Sequence, residues 1–88
     1  MIRNNNFILC EVAGSQVLVP VGEAVGAFAG IVNLNGSGVY LWHTLEAEQT
    51  LEMLASALLE KYDVSPEQAK ADAESFVVKL RSVGAIQE

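Results

Sequence analysis

Cys10 and His43 are the only cysteine and the only histidine in this sequence of 88 residues, and they are its most reactive side chains. A thiolate nucleophile needs a base beside it and a group that orients the base. Cys10 stands in an apolar, strand-like run and His43 in a helical pattern, with no third partner marked by spacing. The simpler reading puts Cys10 in a strand's core position and His43 on the outer side of a helix. Structural zinc takes about four Cys or His ligands, and one of each cannot supply them. Gly22 and Gly26 share a short stretch, but no Lys-Ser/Thr follows to make a phosphate loop. Glu46, Glu48, Glu52 and Glu60 fall on helix surfaces or turns, where carboxylates solvate a face. The sequence therefore predicts no enzyme, no metal site and no cofactor. What remains is binding.

Composition narrows what could be bound. The chain is 51% hydrophobic with a formal net charge of −6. Its length allows one domain spanning residues 1–88, with one modest core. Five basic residues are scattered along it, whereas phosphate neutralisation needs Lys and Arg in clusters; nucleic acid is not the expected partner. The longest charge-free stretch, Ala24 to Leu45, is broken by asparagines, glycines and His43, so no membrane span is expected. No basic start followed by an apolar segment marks a secretory signal, and a lone cysteine fits a reducing compartment. A cytoplasmic protein is the expectation.

Charge and glycine divide the chain. Residues 1–40 carry only Arg3, Glu11 and Glu23, and six of the seven glycines. Strands and loops are expected there, and helices in the charged, Leu/Ala-rich remainder. Phe7–Ala13 and Val17–Val19 read as a hairpin about a Gly14-Ser15 turn, with Pro20 ending the second strand or marking a sheet edge. Val21–Ala27 reads as a connecting loop, and Phe28–Leu34 as a third strand.

Asn35-Gly36-Ser37 supplies a turn and a helix N-cap. Val39, Leu41, Trp42 and Leu45 then share one face of a short helix. Tyr40 and Trp42 are expected in the core or on an apolar shelf. Thr50 caps a second helix with apolar positions Leu51, Leu54, Ala55, Leu58 and Leu59. Ser65-Pro66-Glu67-Gln68 opens a third, striped by Ala69, Ala73, Phe76, Leu80 and Val83, and Gly84 sits where a left-handed residue closes a helix. The predicted order is three strands followed by three helices, an α+β fold. A small open sheet has two edges, and an edge is a template for an extended peptide or for a second copy of the chain.

The series Leu34-Asn35-Gly36-Ser37-Gly38-Val39-Tyr40-Leu41-Trp42, then Thr50, Lys61-Tyr62-Asp63-Val64, and Asp72, Phe76, Leu80 and Gly84 resembles the coenzyme PQQ synthesis protein D (PqqD) family. That family is the prototype of the recognition element for precursors of ribosomally synthesised, post-translationally modified peptides. The resemblance covers roughly residues 7–87. It implies a winged-helix-like fold, a three-stranded antiparallel sheet followed by three helices. It also implies a non-catalytic peptide chaperone, which binds the leader of a precursor peptide and presents it to a modifying enzyme, commonly a radical SAM protein with a SPASM-type extension. The family serves many pathways, so the resemblance names neither precursor nor modification.

In the family the leader adds as a strand to the third strand, in a groove against the third helix. Carried onto this chain, the resemblance assigns strand residues Phe28, Ala29, Gly30, Ile31, Val32 and Asn33 to peptide binding. On the helix, Ala73, Phe76 and Leu80 face the core. Val77, one step round, belongs either to the core or to the groove, with Lys70, Glu74 and Arg81 as charged candidates at helical spacing from it. The alternatives are a winged-helix DNA binder and a self-pairing homodimer. The first is disfavoured by a third helix whose Glu67, Asp72 and Glu74 balance Lys70, Lys79 and Arg81.

Overall fold

The computed structural model describes residues 1–27 and 31–88; Phe28, Ala29 and Gly30, assigned above to the third strand, lie outside the described residues. A three-stranded antiparallel sheet, β2 (Phe7–Val12), β3 (Ser15–Pro20) and β4 (Val32–Leu34), is followed by three helices, α2 (Gly36–Thr44), α3 (Leu51–Lys61) and α4 (Pro66–Ser82). This is the α+β arrangement expected. Three elements were not foreseen. Residues 21–27, read as loop, contain a single helical turn, α1 (Ala24–Ala27), and the chain ends pair as β1 (Ile2–Arg3) and β5 (Ile86–Gln87). Two-residue strands carry too little periodicity to be seen in a sequence.

The β2–β3 turn is Ala13-Gly14, one residue earlier than expected, and both residues have positive φ, +53° and +84°. That is the two-residue loop whose twist matches a hairpin. β4 is shorter than the predicted strand. Its pairing with β3 runs from Gln16↔Leu34 to Leu18↔Val32, while β3 continues against β2 as far as Pro20↔Phe7.

Alternation sets the two sheet faces. Phe7, Leu18, Val32 and Leu34 point to the helices and join Leu41, Trp42, Leu45, Leu54, Leu58 and Leu80 in the core. Cys10 pairs with Val17 on the opposite face and is only half-buried, which corrects its placement in the core. Trp42 is buried and Tyr40 half-buried against the core, its ring meeting Tyr62 edge-on at 6.2 Å.

Helix ends follow the local signals. Oδ1 of Asn35 accepts from Gly38 N–H at 2.8 Å, Oγ1 of Thr50 from Met53 N–H, and Oγ of Ser65 from Gln68 N–H with Pro66 in the first turn. Gln68 does not complete a capping box; its side-chain Nε2 donates to Asp72. At the far end of α4, Gly84 has φ +78°; its N–H reaches the Arg81 carbonyl and Ala85 N–H reaches that of Leu80. This pair of bonds turns the chain back toward β1. Among the described residues no helix is long and apolar enough to cross a membrane.

Candidate functional site

Among the described residues β3 is paired on both sides, while β2 and β4 each pair on one side only. The β4 edge faces α4 across a groove of about 580 Å³. Three segments build it. β4 and its exit supply Asn33, Leu34 and Asn35; the start of α2 supplies Ser37, Gly38 and Leu41; α4 supplies Asp72, Ser75, Phe76 and Lys79. Leu34, Leu41 and Phe76 are buried and form an apolar floor, while Asn33, Ser75 and Lys79 are exposed along the rim. An apolar floor under a few polar groups suits a chain that is held by its main chain and chosen by its side chains.

The main chain of β4 decides what the edge offers. The Asn33 carbonyl accepts from Lys79 Nζ at 2.7 Å. That carbonyl therefore points away from β3, and in an antiparallel strand the same residue's N–H points with it. Val32 and Leu34 turn their main-chain groups toward β3 and their side chains into the core. Gly38 is where the wall comes closest: a Cβ there would stand 3.2 Å from Asn35 Oδ1 and 3.4 Å from Leu34.

The expected site residues separate into three groups. Asn33 lies on the groove, Ile31 is exposed just before β4, and Val32 is buried beneath the strand. Val77 is core, 4% exposed. Lys70, Glu74 and Arg81 are exposed but do not line the groove. At about 100° per residue they sit roughly 160–200° around α4 from Asp72, with Val77 between them and the core stripe. Arg81 instead pairs with Glu88. This placement has a simple cause. The stripe Ala69, Ala73, Phe76, Leu80 has two flanks; Val77 leads to one, and the groove lies along the other, marked by Asp72, Ser75 and Lys79. Periodicity identifies the buried face but does not say which flank meets the sheet.

Five groove residues, Leu34, Asn35, Ser37, Gly38 and Leu41, come from the single stretch Leu34–Trp42, and Asp72 and Phe76 stand in the same residue series. Their spacing was visible in the sequence; their meeting at one groove was not. Cys10 and His43 are not brought together, for Cys10 is on the sheet face turned from the helices and His43 is exposed on α2. Among the described residues no group of three or more His, Cys, Asp or Glu side chains could hold a metal ion.

Comparison with known proteins gives the groove a context. No curated protein matches the sequence. A solved structure described as "TbiB1 in Complex with the TbiA(beta) Leader Peptide" superposes with a TM-score of 0.75 at 17% identity, covering 99% of this chain and 95% of that one. At that identity the likeness is one of fold. The family model of coenzyme PQQ synthesis protein D (PqqD) matches residues 16–86, from β3 to the first residue of β5. The chain belongs to the PqqD family.

Proposed function

We infer that this protein binds the leader segment of a ribosomally made precursor peptide as an added strand on β4, with the peptide's side chains in the groove against α4. The observation that carries the reading is the free β4 edge, whose Asn33 main chain points into a groove with an apolar floor. Membership of the PqqD family and the fold shared with a protein solved bound to a leader peptide support it. Strand addition gives affinity through main-chain bonds that any sequence can make, and alternate side chains supply selectivity. The protein's part is to hold and present the peptide in the cytoplasm, without itself catalysing a reaction. A radical SAM enzyme with a SPASM-type extension is the proposed recipient.

The test is a titration of the ¹⁵N-labelled chain with the leader segment of a precursor encoded beside it. The Ile31 and Asn33 amides are expected to shift and to gain protection from exchange, together with groove residues of α4. Shifts confined to α3, or none, would sink the reading. Retention of the modifying enzyme on a column carrying the protein–leader complex tests presentation separately.

A further inference from the structure

We propose that Lys79 selects the peptide: in the free protein its ammonium covers the acceptor that an incoming strand needs, and a carboxylate on that strand draws it away. The inference rests on the strand addition proposed above. Its ground is the contact from Lys79 Nζ to the Asn33 carbonyl, 2.7 Å long, which runs from α4 to the strand edge. A strand docking on β4 brings an N–H to this same carbonyl. The ammonium must then yield some or all of its place, and with three donors on a flexible stem it needs another acceptor. A carboxylate adds to the hydrogen bond a charge attraction that a neutral carbonyl lacks. Among the described residues no carboxylate forms an ion pair with Lys79.

Charge elsewhere limits the ligand further. Asp72 lies about 10 Å back along the helix at 1.5 Å per residue, and its carboxylate is held by Gln68 at 2.7 Å. The groove thus has one cationic and one anionic end, in a protein of net charge −6. Such a field repels a polyanion. The ligand that fits is an extended peptide with a single carboxylate opposite Lys79, and not an acidic run.

The experiment pans a phage-displayed library of random linear dodecapeptides against the wild-type, K79M and K79E proteins. Wild type is expected to enrich Asp or Glu at one position. Peptides enriched by K79M are expected to show no preference at that position, and those enriched by K79E to carry Lys or Arg there instead. In a peptide selected by wild type, exchanging its Glu for Gln is expected to weaken binding about 2–5-fold, the upper range for an exposed ion pair, and to have no effect on binding to K79M. The same acid preference in all three proteins, or an equal Glu-to-Gln loss in wild type and K79M, overturns the role of Lys79 and leaves strand addition standing. Selected peptides that do not move the Ile31 and Asn33 amides overturn strand addition, and this inference with it. Wild type alone gives a second reading, needing no variant to fold. Added salt should weaken the Glu peptide more than its Gln form, and equal slopes refute the proposal.

Discussion

Two residues carry backbone conformations that decide local stability, and they differ in how well the side chain suits the task. Ala13 holds φ +53° in the β2–β3 turn, where its Cβ crowds the following carbonyl. Asn-Gly is the favoured pair for such a turn. Ala13→Asn is expected to stabilise the protein by about 0.5–1 kcal/mol, seen as a rise of a few degrees in the thermal midpoint followed through the single tryptophan, Trp42. An unchanged midpoint would show that the turn holds no such strain. Gly84 is the opposite case. A Cβ there meets nothing within 4 Å, yet φ is +78°, so any cost of substitution lies in the backbone. Gly84→Ala should lose about 1–2 kcal/mol and Gly84→Asn less, since asparagine tolerates the left-handed region. Equal losses would point to some other cause. Gly84 was legible in the sequence because closing a helix is a local event; Ala13 was not, because alanine advertises no turn.

At the scale of elements, β4 has two distinct jobs divided between alternate residues. Val32 and Leu34 tie it to β3 and the core, while Asn33 faces the free edge. Proline at an edge position removes an outward N–H without breaking a ladder bond. Asn33→Pro is therefore expected to abolish leader binding, with the thermal midpoint falling by only a few degrees. A variant that still bound the leader would show that the main chain of Asn33 takes no part. On α4 the sequence identified the core stripe and both ends correctly. Its two polar flanks, one with Lys70, Glu74 and Arg81 and the other with Asp72, Ser75 and Lys79, are indistinguishable until the sheet is placed beside one of them.

At the scale of the whole fold, the pairing of β1 with β5 closes the structure. β5 follows directly from the turn at Gly84 and pairs with β1, Arg3 N–H donates to the Leu45 carbonyl, and the Arg3 guanidinium lies 5.6 Å from the Trp42 ring. Ala85 and Ile86 are core residues. Ile86→Ala is expected to cost about 2–4 kcal/mol, a large part of the roughly 5–10 kcal/mol available to a domain of this size. The denaturant midpoint should fall with an unchanged slope. Faster amide exchange limited to residues 83–88 would instead show the terminal sheet to be a unit that opens alone. Composition, periodicity and capping residues determined the class of fold, the order of its main elements and most of the core, because each depends on neighbours within a few positions. The resemblance of the residue series from Leu34 to Gly84 named the family. Only the tertiary structure decided which flank of α4 faces β4, that Lys79 reaches the Asn33 carbonyl, and that the chain ends meet. These are contacts between residues far apart in sequence, set by how a twisted sheet and three helices pack, and no local pattern encodes them.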